Sequence, residues 1–254
     1  MSNPEQQKAV TSVCGFDEDN ITIRGQDLVN GLIGKVSFTE AWLIQALGDK
    51  PTTQQLRIVD AVLVTIMEHG LVPSVIASRL TIYGAPESFQ GAIAAGLLGI
   101  GDRYAGTASE CGALFERVCA SEDKESEALK VVREYRAKKR PLPGFGHPIH
   151  KGTDPRVDRL LAVCEEVGVS GEYIKVMRMI EAALSGELNK TIVTNVSAAI
   201  GAALAEVSIP SQMMRGVVLT ARCAGLVGHL LEEMNNPAAP ALWDGAQEAV
   251  VYEP

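Results

Sequence analysis

The chain has few cysteines and no CxxC pair: the five, at positions 14, 111, 119, 164 and 223, are odd in number and widely separated. Such spacing offers neither a disulfide framework nor a zinc site, so a metal-free protein of the reducing cytoplasm is expected. Basic residues are outnumbered, with 23 Lys and Arg against 31 Asp and Glu and a net charge of −8. With no basic stripe to offset that balance, nucleic acid is not expected as a partner, although a few local arginines suffice for a small anion. Long apolar runs are missing too. Ala92 to Ile100 is short and glycine-rich, and Met1 to Gly15 lacks the basic start and apolar stretch of a signal peptide, so no membrane association is expected. No internal repeat or low-complexity segment interrupts the chain.

A 254-residue sequence that is 46% hydrophobic is long and apolar enough for a large core, either as one domain or as a large lobe with a smaller one. The patterning is helical almost throughout. Only the segment from Ile21, with β-branched residues and a break at Gly25, reads as a short extended piece or hairpin. Ser37 begins a helix that ends near Gly48. A second runs from about Thr53 to Glu68 with Leu56, Val59, Val62, Leu63 and Ile66 on one stripe, stopped by Gly70. Further helices are expected over Ser74–Ile82, from Pro86, and over Thr107–Ala120. Ser121–Arg140 reads as an exposed helix with few core contacts. Asp154 caps another helix to about Val167, Ser170 starts one to about Ala183, and two more cover Leu188–Glu206 and Ser211–Asn235 before a proline-rich tail, Pro237–Pro240. About ten helices without a credible sheet make an all-α protein.

The stretch LPGFGHPIHKGTDPR, Leu142 to Arg156, stands apart from this pattern. Gly144 and Gly146 permit tight turns and close approach to a ligand, while Pro141, Pro143, Pro148 and Pro155 restrict the wandering of His147, His150, Lys151 and Arg156. Titratable and cationic groups on a restrained loop suit binding or catalysis. His69 at a helix end and Arg222 on an otherwise apolar helix join His147 and Arg156 as candidates. Histidine serves as acid, base or hydrogen-bond donor near neutral pH, and an arginine in apolar surroundings needs an anion, either a ligand carboxylate or an acidic side chain of the same protein. The basic run Arg136 to Arg140 either complements its helix C-terminus or meets a phosphate.

These residues carry a resemblance. GFGHPIHKGTDPR is similar to the GFGH(R)xYKxxDPR signature of the citrate synthase superfamily. The segment from Glu68 to Ser74 resembles its DHG motif, and Leu98 to Gly106 resembles the IGDRFGG run of the citryl-CoA-cleaving module of ATP-citrate lyase. Ala221 to His229 resembles its ARxxGxxxH helix. The ordered matches span Ile21 to Glu232, and the chain length resembles that of stand-alone citryl-CoA lyases. The resemblance implies a multi-helix citrate synthase-like fold in one domain over residues 1–254, with a smaller helical lobe at about 107–212, assembled as a homodimer. It implies coenzyme A as part of the substrate and cleavage of a citryl-CoA-like β-hydroxy acyl-CoA into acyl-CoA and an oxo-acid. His69 and His147 match histidines that polarise the oxo-acid, and Arg156 and Arg222 match arginines that hold its carboxylates. Gly144, Gly146 and Lys151 fall on the CoA-binding side, Lys151 being either a CoA contact or a solvated loop lysine.

Three positions depart from the family pattern. Tyr104 stands where synthases carry a second catalytic histidine; lyase modules also lack that histidine, which favours cleavage. Ser197 stands where the family has its catalytic aspartate, and a serine hydroxyl is no general base without activation. It either hydrogen-bonds the substrate or packs in a small-residue helix contact. No arginine follows Pro237, so the late arginine that reaches a substrate carboxylate across the synthase dimer is missing. On these departures rest two other readings, a CoA-thioester decarboxylase and a non-catalytic CoA-binding homologue.

Overall fold

A computed structural model describes residues 9–102, 106–146, 154–169 and 171–253. The chain divides into two compact units, Met1–Leu56 and Arg57–Pro254.

The first unit opens on a small antiparallel meander: β1 (Cys14–Phe16), β2 (Ile21–Ile23) and β3 (Gln26–Asp27), with Cys14 opposite Ile23 and Thr22 opposite Asp27. The break foreseen at Gly25 is a two-residue hairpin turn. Arg24 and Gly25 both adopt positive φ, 51° and 76°, the twist that suits flanking β-strands. Arg24 occupies this unusual position while its guanidinium donates to Gln45 O at 2.9 Å and Ser12 Oγ at 2.6 Å. After a π-helical turn (Leu28–Leu32), α1 (Phe38–Leu47) starts where Ser37 Oγ accepts the Glu40 N–H and stops at left-handed Gly48. Thr52 and Gln55 exchange side-chain-to-backbone hydrogen bonds in a reciprocal cap at the start of α2 (Thr53–Ile66), where the unit ends.

The second unit is helical: the rest of α2, then α3 (Pro73–Gly84), α4 (Phe89–Leu98), α5 (Ala108–Cys119), α6 (Lys124–Ala137), α7 (Pro155–Glu166), α8 (Glu172–Leu188), α9 (Val196–Glu206), α10 (Ser211–Asn235) and α11 (Ala239–Ala249). The all-α expectation holds, the three short strands apart.

Small residues set the packing. Helix α9 is buried from Val196 to Ala205, and a methyl on Gly201 would meet Cys111 Cβ at 2.9 Å and the Gly112 N at 3.1 Å. In the same way Gly112 admits Met214 of α10, and Gly96 of α4 admits Leu226 of α10. Close helix contact of this kind removes apolar surface from water without large side chains, in a chain only 5% aromatic.

Four sequence expectations need correction. Helix α6 is not peripheral, because Ala128, Val131 and Val132 are buried in a core with Phe115, Met177, Ile180, Ala198 and Ala202; its charged residues occupy only the outer face. Residues 189–195 are not helical, since α8 ends at left-handed Asn189 and the chain then runs extended to its cap at Asn195. The proline-rich tail is helix α11, which begins with Pro240 in its first turn, a position that lacks an intrahelical N–H partner anyway. Finally, the expectation that no apolar stretch is long enough to span a bilayer does not hold for α10 by length and composition alone; its residues Met214, Val217, Val218, Leu226 and Leu230 are buried, while Val227, Leu231 and Met234 are exposed.

Candidate functional site

One cavity of about 660 Å³ opens in the second unit, and its wall brings together six of the eight sequence-predicted site residues: His69, Gly144, Gly146, Arg156, Ser197 and Arg222. They arrive from five separate places in the chain. His147, Lys151 and the neighbouring His150 lie outside the described residues, as does Tyr104.

On one side the loop after α6 turns through Gly144 and Gly146, with φ of 87° and 83°. Gly144 packs against the core: a methyl there would sit 2.6 Å from Ala198 Cβ and 2.7 Å from Cys111 Sγ, whereas no atom of the described residues lies within 4 Å of a methyl on Gly146. The loop is pinned to the segment entering α9. Gly146 N donates to Val193 O at 2.8 Å, Asn195 N donates to Gly144 O at 2.9 Å, and Asn195 Nδ2 donates to Gly146 O at 3.0 Å. Asn195 also caps α9, its Oδ1 accepting the Ser197 N–H at 2.9 Å. Ser197, 8% exposed, therefore stands in the first turn of α9 at the cavity wall. It is buried beside Ala198 and Ala199, and it borders the cavity.

Arg156, in the first turn of α7, lays its guanidinium along Asp154, with Nε to Oδ1 at 3.0 Å and Nη2 to Oδ2 at 2.8 Å. One edge of the fork is thus engaged by the protein itself, and the remaining donors border the cavity. Arg222 differs. It is 6% exposed, and among the described residues it has no ion-pair or hydrogen-bond partner. Burial pulls its pKa below the usual guanidinium range, the Glu68 charge opposes this, and the nearby Arg156 charge adds to it. A guanidinium stays protonated regardless, so Arg222 shares the wall of one partly enclosed space with Arg156 and Arg140, and an anion there would offset the buried Arg222 charge.

Opposite, α2 ends just before His69, an exposed residue on the cavity rim, and Gly70 (φ 71°) turns the chain into α3. Glu68 Oε1 accepts the backbone N–H groups of His69 at 2.7 Å and of Gly70 at 2.5 Å. Its other oxygen, Oε2, lies 2.8 Å from His229 Nε2.

The wall also holds Asp102, which the sequence offers as one candidate proton carrier, Arg140 at the end of the basic run, and Glu110 and Asn195, which the sequence reading did not place in the site. Asp102 accepts a hydrogen bond from Arg215 at 3.0 Å. Of the basic run at the end of α6, Arg136 donates to the backbone oxygen and carboxylate of Glu187 in α8, while Arg140 borders the cavity. Asn195 was legible in principle as a helix cap; Glu110 and Arg140 had only charge to mark them. Among the described residues no group of three or more His, Cys, Asp or Glu side chains is disposed to hold a metal.

The description "citrate synthase, C-terminal domain" matches residues 9–241, nearly the whole chain. The chain belongs to the citrate synthase family. Citryl-CoA lyase from Hydrogenobacter thermophilus superposes with a TM-score of 0.82 and 29% identity, covering 91% of this chain and 88% of that one. The ATP citrate lyase of Methanosaeta concilii, solved in complex with (3S)-citryl-CoA, superposes with a TM-score of 0.77 over all of this chain and 42% of its own, at 18% identity. A citrate synthase of Heyndrickxia coagulans is 26% identical over 208 residues, 79% of this chain. The chain spans about half the length of the curated citrate synthases it matches. The citrate synthase-like fold expected from sequence is therefore shown, and citryl-CoA lyase is a relative of similar length.

Proposed function

We propose that this citrate synthase family member is a CoA-dependent carbon–carbon lyase that cleaves a citryl-CoA-like β-hydroxy acyl-CoA into an acyl-CoA and an oxo-acid. The observation that carries this reading is Arg222: a buried guanidinium with no hydrogen-bond or ion-pair partner among the described residues, on the wall of a cavity shared with Arg156 and His69. That arrangement suits a carboxylate presented beside a group able to donate or move a proton.

In the cleavage direction the β-hydroxyl loses its proton and its O–H electron pair becomes the new carbonyl π bond. The carbon–carbon pair passes to the acyl carbon as a thioester enolate, which then takes up a proton. Arg222 and the free edge of Arg156 hold the carboxylate of the departing oxo-acid, fixing the bond to be broken. His69, with His147, supports the oxygen on which charge changes. The paired glycines of the Gly144–Gly146 turn, with Lys151, border the acyl-CoA. Ser197 contributes a hydroxyl where a carboxylate would otherwise stand, which suits a substrate with a different group at that point. Coenzyme A enters as part of the substrate, and the working form is a cytoplasmic homodimer.

Purified protein incubated with citryl-CoA and related hydroxyacyl-CoAs is expected to release free oxo-acid and acyl-CoA. A folded protein that turns over none of them contradicts the proposal.

A further inference from the structure

Behind His69 lies a directed chain of polar contacts that the proposed cleavage does not use. It begins at Arg79 of α3, which is 3% exposed. Its Nη1 donates to buried Glu233 of α10 at 2.6 Å, and Glu233 in turn accepts the Ala239 N–H at the start of α11 at 2.8 Å. Exposed Glu232 makes a second contact with the same guanidinium. On its other edge, Arg79 approaches Nδ1 of His229 with Nε at 3.2 Å and Nη2 at 2.7 Å.

Arginine has only donors, so His229 Nδ1 accepts and the ring carries its proton on Nε2. That nitrogen is buried and has no aligned hydrogen bond, yet it lies 2.8 Å from Glu68 Oε2, so the contact is between the N–H dipole and the carboxylate charge. Glu68 spends its remaining oxygen on the His69 and Gly70 N–H groups. The backbone is also tight at this point: a methyl on Gly225 of α10 would lie 2.3 Å from Met67 O and 3.4 Å from Glu68 Oε2. Arg222 and His229 are seven residues, about two turns, apart on α10 and so share a face. The Glu68 charge acts on Arg222 from the same place.

We infer that Glu68 is a positioning residue: clamped by His229, and through it by Arg79, its carboxylate fixes the turn that presents His69 to the cavity and sets the charge felt by Arg222. Glutamine at position 68 separates the two jobs. Its carbonyl still accepts the two N–H groups, but its charge is gone, and its amide donors face a ring nitrogen that already carries a proton. Alanine removes both jobs.

The inference rests on the proposed function only for its kinetic arm, so the test has a second readout. Amide hydrogen exchange at His69 and Gly70 is expected to speed up at least tenfold in Glu68→Ala and by less than threefold in Glu68→Gln, with His229→Ala between them. Oxaloacetate binding, followed by titration calorimetry, is expected to tighten about threefold in Glu68→Gln because a negative charge beside Arg222 is lost, while kcat for citryl-CoA cleavage falls at least tenfold. A purely structural role lowers the fraction of folded protein without tightening oxaloacetate. Unchanged exchange at His69 and Gly70 in a folded Glu68→Ala protein overturns the inference, as does equal or weaker oxaloacetate binding by Glu68→Gln. Should the wild-type protein fail to cleave citryl-CoA, the exchange result still decides the positioning role, and only the functional proposal falls.

Discussion

The two walls of the cavity are built on opposite physical principles. Around His69 and Arg222 the protein uses charge: Arg79, Glu233 and His229 form a buried polar chain that ends at the more exposed Glu68, and Arg222 is left as a cation with no partner among the described residues. Around Gly144 and Ser197 it uses closeness: backbone hydrogen bonds tie residues 144–146 to residues 193–195, and Gly144, Ala198 and Cys111 meet where no larger side chain fits. Charge that is buried and uncompensated costs folding energy, which a bound anion would offset. Close packing stabilises the fold and gives the cavity its shape. Substitutions on the two walls are therefore expected to separate activity from stability.

The largest separation is expected at Arg222. Replacement by alanine removes the buried cation, so kcat/KM for the acyl-CoA substrate should fall by about 10² to 10³, the range for losing a charge-assisted carboxylate contact. Urea unfolding should show a change of no more than about 1 kcal/mol, because the lost packing is offset by relief of a desolvated charge. A large loss of stability with activity retained per folded molecule would place Arg222 among structural residues. Gly144→Ala should behave in the opposite way. Its methyl would collide with Ala198 Cβ and Cys111 Sγ in a left-handed backbone conformation, costing about 2–4 kcal/mol in the same unfolding experiment from overpacking and backbone strain together. If Gly144→Ala unfolds like the wild type, the small-residue wall is looser than its distances imply.

How far these walls were legible in the sequence follows from the same contrast. Charged and titratable residues in apolar or glycine-rich surroundings are visible one at a time, so His69, Arg156 and Arg222 could be named without a structure. Helix ends with a local chemical signal were legible too: Ser37, Gly48, Asp154 and the start of α10 at Ser211 fall where the pattern put them. What failed was whatever depended on a distant partner. The charged surface of α6 concealed Val131 and Val132, which only the neighbouring helices bury. The engagement of Arg156 by Asp154 was hidden in the motif, because a capping aspartate and an arginine two residues on can be read as separate signals. His229 and Arg79 are 150 positions apart in the chain; no local rule joins them. Pro237–Pro240 misled because proline stops a helix in its interior but suits its first turn.

Ser197 tests whether the small-residue wall can be given the other wall's chemistry. Position 197 lies in the first turn of α9, where a negative charge is favoured by the helix dipole by about 0.3–1 kcal/mol, and it borders the cavity, so Ser197→Asp should fold with little change in stability. A gain in citryl-CoA cleavage would show that the site is a lyase short of one carboxylate. Loss of whatever acyl-CoA cleavage the wild type performs would show that the hydroxyl serves a different substrate.

The smallest expected effect concerns what holds that wall in place. Glu181 of α8 accepts both the N–H and the hydroxyl of Thr194 at 2.7 Å, and Arg178 also donates to it. Burial pushes its pKa upward, but the Thr194 and Arg178 contacts outweigh this and leave it below the usual carboxylate range. A carboxyl whose folded pKa is depressed stabilises the protein fully above its unfolded value, about 4.3, and loses that contribution as pH falls through the lower folded value. Thermal unfolding between pH 6 and pH 3 should therefore show a steeper acid loss for the wild type than for Glu181→Gln, by on the order of 1 kcal/mol, with the variant the less stable only at the upper end. Parallel acid profiles would mean that Thr194, and with it the small-residue wall, is held by the backbone bonds to residues 144–146 alone.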